Sequence, residues 1–320
     1  MRKSTLQRAT ALLIGAGALL AATTTGASAA PVPGSGTKPA PIVHTMPKAK
    51  AAPKTAKSAP SATLAAAASP VAVVQPGQVL APGDSVAAGS TTLVMQPDGN
   101  LVLYLVAGNG SRILPLWSSG TWWSPGARAE MQADGNFVIY RQDGNSSNQG
   151  SIWHSGTWGH PGAALVLAYG DLLIGAPDGD TVLWNARVGF IPAKVNGEYT
   201  ENPSDTIGSN EALDANNWVE SRTTILIMQA DGNLVLYRKS DGQAIWSSHT
   251  WNHPGSYAHL EAGGVLYVAD DNNLYWRTYT QNNPGAYAIA QDDGNFVIYR
   301  QGGNAWNNGA LWSSGTWGKA

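Results

Sequence analysis

The stretch Gln132-Ala133-Asp134-Gly135-Asn136-Phe137-Val138-Ile139-Tyr140 decides how this chain folds. Drawn as one straight strand it would hold Gln132 and Tyr140 about 26 Å apart, at roughly 3.3 Å per residue. An Asp-Gly pair beside apolar runs is a tight-turn signal, so the nine residues read as strand, turn, strand. The same pattern recurs at Gln96–Tyr104, Gln229–Tyr237 and Gln291–Tyr299. In the first copy Pro97 stands before Asp98-Gly99, where a turn accepts it and a central strand would not. That copy is expected to run as a strand over Leu93–Gln96, a turn at Asp98-Gly99 and a strand over Leu101–Tyr104, gathering Gln, Asp, Asn and Tyr around one shallow depression.

Gln and Asn each carry N–H donors and a carbonyl acceptor, an ionised Asp only accepts, and a Tyr hydroxyl does both. Neighbouring sugar hydroxyls each need a donor and an acceptor, and the Asp supplies the stronger, charge-assisted bond. A turn alone does not require the same Gln, Val and Tyr four times over. The repetition therefore points to ligand binding by one small unit used repeatedly.

The nine-residue motif resembles the mannose-binding signature of the bulb-type (monocot mannose-binding) lectins, and the resemblance extends over about Val71 to Lys319. It implies an all-β chain of two tandem β-prism II domains, each made of three four-stranded antiparallel sheets around a pseudo-threefold axis, with one sugar site per sheet. By resemblance, the Asp and Asn meet the 2-hydroxyl of mannose, the Gln the 3-hydroxyl and the Tyr the 4-hydroxyl, while the Val packs on the ring. These roles fall to Gln96, Asp98, Asn100, Val102 and Tyr104; to Gln132, Asp134, Asn136, Val138 and Tyr140; to Gln229, Asp231, Asn233, Val235 and Tyr237; and to Gln291, Asp293, Asn295, Val297 and Tyr299. The family binds sugar without a metal or other cofactor. Its plant members commonly carry a disulfide in each domain, whereas this chain has no cysteine and must hold by packing. Tandem bulb-lectin chains are also similar to the lectin-like bacteriocins, which kill related bacteria after binding surface polysaccharide, and that remains the alternative reading.

Six tryptophans follow six repeats: Trp117, Trp153, Trp184, Trp246, Trp276 and Trp312. Three repeats suit a three-sided prism, because one sheet cannot bury its apolar face alone. The domains are placed at Val71–Val188 and Gly189–Ala320, with an irregular stretch near Phe190–Glu220, and the six rings are expected at the two axes. The third and fifth repeats, read as Leu167–Gly175 and Leu260–Val268, have lost the motif. This alignment sets Leu167, Tyr169, Asp171 and Gly175, and then Leu260, Ala262, Gly264 and Val268, in place of Gln, Asp, Asn and Tyr. Each intact motif is followed by a Trp-x-Ser-x-Thr-Trp-like segment that ends at Trp122, Trp158, Trp251 or Trp317. Gly189 and Gln281 take that last place after the two degenerate repeats. Two readings stay open for these second tryptophans: the wall of an extended sugar subsite, or a cover over a strand edge.

The chain has 320 residues, 37 of them Gly, and only 12% are charged, which fits a turn-rich all-β protein. Met1–Ala29 reads as a secretory signal peptide, with basic Arg2, Lys3 and Arg8, an apolar Ala9–Leu20 and the small-residue site Ala27-Ser28-Ala29. Residues 30–70 form an Ala/Pro/Lys-rich linker that cannot bury a core. The expected location is therefore extracellular, with attachment to a cell wall left open. Eight of the 19 basic residues and none of the 21 acids precede Pro70, so the remainder carries a net charge near −10. That balance argues against nucleic acid, and the apolar run Ala9–Leu20 is too short for a membrane span. Glycoside hydrolysis needs two carboxyl groups about 5–9.5 Å apart, yet the motifs share one Asp, and Asp292 adds a second in a single copy. No Ser-His-Asp set recurs, so no enzyme is expected. His160 and His253 stand before Pro-Gly where Ser124 and Asn283 stand in parallel repeats, a turn position that accepts any small polar residue, and Asp270-Asp271-Asn272-Asn273 reads as a hairpin turn, so no metal is expected. Related lectins often dimerise, but nothing in the sequence decides whether this chain forms a homodimer.

Overall fold

The computed structural model describes residues 71–195 and 198–320; the expected leader and linker lie outside them. All the described residues fall in one compact unit, which includes Ala67–Ala320. They form β-strands and turns, with a single 3-10 turn at Ala305–Asn307. No described helix is long and apolar enough to cross a membrane.

The motif hairpins form as their turn chemistry requires. Thr91–Met95 pairs antiparallel with Leu101–Val106, and the Gly99 N–H donates to the Gln96 carbonyl across the turn. Gly99 sits at φ +94°, which favours glycine. A Cβ there would also collide with the Ser124 carbonyl oxygen, so the position is closed to every other residue. A third strand, Arg112–Ser118, completes the repeat.

The segments before each set of repeats complete the sheets, one strand at a time. In the first half, Ser85–Ala88 joins the first repeat, Val79–Leu80 the second and Val71–Val74 the third. The second half repeats the scheme: Asn217–Glu220, Glu211–Leu213 and Thr206–Ile207 pair with the fourth, fifth and sixth repeats. The stretch expected to be irregular is therefore ordered: besides a hairpin of Pro192–Val195 with Glu198–Pro203, it supplies these three sheet strands. They are two to four residues long, too short for period-2 alternation to register in sequence. The result is two sets of three antiparallel sheets, each built on four strands; Gly189–Phe190 adds a fifth, parallel strand to the fourth repeat's sheet.

The tryptophans meet as expected. Trp117, Trp153 and Trp184 contact one another edge to face with ring centroids 5.6, 5.6 and 5.7 Å apart. Trp246, Trp276 and Trp312 do the same at 5.5, 5.6 and 5.6 Å, the geometry that the ring quadrupoles favour. Each ring is only partly buried. The wholly buried layer beneath comes from alternate strand residues such as Leu93, Leu103, Ile139 and Leu165 in one half, and Leu226, Leu236, Val268 and Ile298 in the other.

The fourth repeat's sheet is buried on both faces. Leu226 and Met228 pack inside the second core, while Trp218, Ile225 and Ile227 belong to the first. Alternation along a strand sends neighbouring side chains to opposite faces, so this sheet serves both cores.

Candidate functional site

All four intact motifs fold into the same polar knot on the outer face of their sheets. The Gln Nε2 donates to the Tyr hydroxyl of its own copy: 2.8 Å for Gln96–Tyr104, 2.9 Å for Gln132–Tyr140, 2.7 Å for Gln229–Tyr237 and 3.2 Å for Gln291–Tyr299. Two residues that a straight strand would hold about 26 Å apart are thus in direct contact. The Asp Oδ1 in each turn accepts the backbone N–H of the Asn two residues on. One carboxylate oxygen is thereby committed to the turn, and this bond does not use Oδ2.

The Asn is bound more tightly than its donor count suggested. Asn100 Oδ1 accepts from Ser119 Oγ and from the Thr121 N–H, both at 3.1 Å. Asn136, Asn233 and Asn295 make the same pair of bonds with Ser155 and Thr157, Ser248 and Thr250, and Ser314 and Thr316. Each Thr hydroxyl also donates to the carbonyl of the motif Gly. The Ser and Thr of the Trp-x-Ser-x-Thr-Trp segment therefore fasten the third strand to the turn. The Asn carbonyl is spent on this tie, and its Nδ2 amide is the group left to donate outward. Sequence reasoning noticed the Ser-x-Thr recurrence without assigning it this role; its co-occurrence with every intact Asn was the available signal.

The Val of each copy is nearly covered, with 2–3% of its surface accessible, so little of it is open to a sugar ring. The Tyr environments differ from copy to copy. Tyr104 has Arg112 over its ring at 4.4 Å, Arg128 lies 5.4 Å from Tyr140, and Tyr287 lies 5.6 Å from Tyr299. Tyr237 packs on the first core. Burial pushes the Tyr140 and Tyr237 hydroxyls above the ordinary phenol value. Beside the fourth intact copy, Asp292 is taken up by Arg222, which bonds it through its backbone N–H at 2.9 Å and its side chain at 3.3 Å. Among the described residues, no group of three or more His, Cys, Asp or Glu is placed to hold a metal. Asp270 accepts the Asn272 and Asn273 N–H groups, as a hairpin turn would.

The strand register corrects the alignment of both degenerate repeats. In the fifth, Leu260 pairs with Leu266 just as Met95 pairs with Leu101. Glu261, Gly263, Val265, Tyr267 and Ala269 therefore stand where Gln, Asp, Asn, Val and Tyr stand in the motif, and Leu260, Ala262, Gly264 and Val268 do not. In the third, Ala168 pairs with Asp171 across the two-residue turn Tyr169-Gly170, and both turn residues have positive φ. One residue is missing, so Ala168 rather than Leu167 takes the Gln place and the motif Asp has no counterpart. Asp171 does occupy the Asn place: its Oδ1 accepts the Val188 N–H at 3.3 Å, as Asn100 accepts that of Thr121. Wholly buried, its carboxyl is pushed up to about 7 by desolvation.

No family model matches the chain, and no curated protein does. Solved structures do. A monomeric monocot mannose-binding lectin from Gastrodia elata is 32% identical, covering 36% of this chain and 99% of that one, with a TM-score of 0.32. The mannose-specific snowdrop (Galanthus nivalis) agglutinin, solved with methyl-α-D-mannoside, is 30% identical over 33% of this chain and 96% of its own, at a TM-score of 0.29. The two-domain, fetuin-binding agglutinin of Scilla campanulata is 26% identical over 75% of this chain and 95% of its own, at a TM-score of 0.27. The fold and the four polar knots define a bulb-type lectin architecture. With 32% identity across nearly the full length of a single-domain lectin, and the motif and topology described above, the chain belongs to the monocot mannose-binding (bulb-type) lectin family.

Proposed function

We propose that this protein is a secreted lectin that binds mannose-type glycans, without a metal, through four sites in two tandem domains, Val71–Val188 and Gly189–Ala320. One observation carries the reading. The Gln–Tyr contact, the Asp-braced turn and the Asn tie are built identically four times, while the third and fifth repeats keep the sheet without the Gln–Tyr contact or the Asp-braced turn. The Gln, Asp and Tyr of the set are therefore not what the fold needs. Each site gathers an Asp oxygen, an Asn amide and a Tyr hydroxyl, a complement to adjacent hydroxyls rather than a catalytic pair of carboxyls.

A shallow site of this kind holds one sugar weakly, on the order of 1 mM or about −4 kcal/mol. Four sites on one chain recover strength by multivalency on a glycan-coated surface. The test replaces Asp98, Asp134, Asp231 and Asp293 together by Asn, which keeps an acceptor for each turn and removes the charge. Binding to a mannose-terminated glycan array is expected to vanish with the melting temperature unchanged. Array binding that survives in the variant refutes the proposal.

A further inference from the structure

The second tryptophans lie open to solvent: Trp251 is 49% exposed, and Trp317, the most exposed of the four, is 75% exposed. Large indole surface facing water in four parallel places calls for a partner. The anchoring of these residues is rigid. Each follows a Thr whose hydroxyl is fastened to the motif Gly and whose N–H is fastened to the motif Asn. The chain after Trp122 then passes so close over the turn that Gly99 admits no side chain. Two of the rings are also held edge-on by a neighbouring imidazole, Trp158 by His154 and Trp251 by His249, both at 5.7 Å.

The fifth repeat shows where this position faces. Gln281 follows Thr280, whose hydroxyl donates to the Gly264 carbonyl, so it is the counterpart of Trp122. One surface depression is lined by Gln281 together with Glu261, Val265, Tyr267 and Ala269, the counterparts of the motif Gln, Asn, Val and Tyr. The position after the Thr therefore shares a hollow with the motif positions. In the four repeats with an intact motif that position is Trp; in the two without it, Gly189 and Gln281 stand there.

We infer that Trp122, Trp158, Trp251 and Trp317 each wall a second-sugar subsite, stacking the residue that is glycosidically linked to the one held by the motif. The ligand class is thus an oligosaccharide, and the inference rests on the glycan-binding reading above. A sugar ring presents a face of C–H groups, which an aromatic face covers while the hydroxyls stay wet. Because the backbone beneath each indole is fixed in advance, little ordering accompanies binding.

The test compares methyl α-D-mannoside with a linear α-linked mannotriose, titrated calorimetrically into the wild-type protein and into a variant carrying Trp122→Gln, Trp158→Gln, Trp251→Gln and Trp317→Gln, the residue the fifth repeat uses. The wild type is expected to prefer the trisaccharide. In the variant, trisaccharide affinity should fall roughly two- to tenfold, the scale of one aromatic contact, while monosaccharide affinity holds within about twofold. The four Trp→Phe changes should restore part of the preference. An unchanged preference, or equal loss of both ligands, overturns the subsite and leaves the motif sites standing. A wild-type protein that binds neither sugar brings down the mannose reading and the subsite with it.

Discussion

Asn and Asp exchange roles in this chain, and the exchange separates folding from binding at a single position. The motif Asn uses its carbonyl to hold the third strand, and its amide, which that tie does not use, is the group proposed to meet a sugar. Asn295→Ala removes both groups and leaves the Thr316 N–H without its partner, at a cost of about 1–3 kcal/mol. Asn295→Asp keeps the acceptor and removes only the donor. Both variants should lose mannose at that site, with the melting temperature falling further for Ala; equal drops would show that the carbonyl tie contributes nothing. Asp171 is the natural instance of the second variant, and burial makes it sensitive to pH. Its folded-state pKa of about 7 lies above the ordinary 3.8, so between those values the folded protein keeps a proton that the unfolded chain releases. This contribution to stability is complete below about pH 4, declines as pH rises, and is gone above about pH 7. Asp171→Asn should therefore raise the urea midpoint at pH 8 and leave it unchanged near pH 4. The gain is bounded by about 4 kcal/mol, at roughly 1.4 kcal/mol per pH unit. A wild-type protein whose stability difference from the variant is the same at both pH values would show that Asp171 is not protonated by burial.

At the level of the hairpin, much was legible in the sequence, because the informative residues are neighbours along the chain. Asp-Gly between apolar runs specifies the turn, and the turn specifies which of Gln, Asn and Tyr come together. The spacing of six tryptophans announced two sets of three sheets for a similar reason, since each ring recurs at one place in a repeating unit. What stayed hidden depends on pairing between distant segments. A one-residue slip moves a strand's side chains to the opposite face, and the fifth repeat, Leu260-Glu261-Ala262-Gly263-Gly264, offers two placements that differ by that slip. Only the partner of Leu260 decides between them. The shortened turn at Tyr169-Gly170 hides in the same way. The entry strands of the second half are a further case, with Thr206–Ile207 contributing two residues to a sheet in which its partner residues are Ile289 and Ala288. The commitment of the Asn100 carbonyl to Thr121 is likewise a contact across 21 residues.

Across the whole molecule, the third repeat, which lacks the motif, forms a junction. Tyr169 sits on the turn that replaces the motif, its ring packs edge-on against Phe190 at 5.7 Å, and Phe190 packs on Trp218 at 6.1 Å. Trp218 belongs by backbone to the second half's first sheet and by side chain to the first half's core, where it is wholly buried. Gly170 is required beneath it, since a Cβ there would strike the indole ring. The indole nitrogen has no hydrogen-bond partner among the described residues, so packing alone holds the ring. Polar ties flank it: Asn216 Nδ2 donates to the Leu116 carbonyl at 2.8 Å, the Gly108 N–H donates to the Lys239 carbonyl at 2.6 Å, and Ser90 Oγ donates to Glu220 at 2.8 Å. A sheet that closes two cores couples them, so the wild-type protein should melt in one calorimetric transition. Trp218→Ala should cost about 3–5 kcal/mol, as for a buried aromatic. Because the ring serves the first core while its strand serves the second, the loss should split the transition in two, with the first half melting earlier. Two separate transitions in the wild type, or a variant that still melts as one unit at nearly the same temperature, would mean that the halves are stable independently.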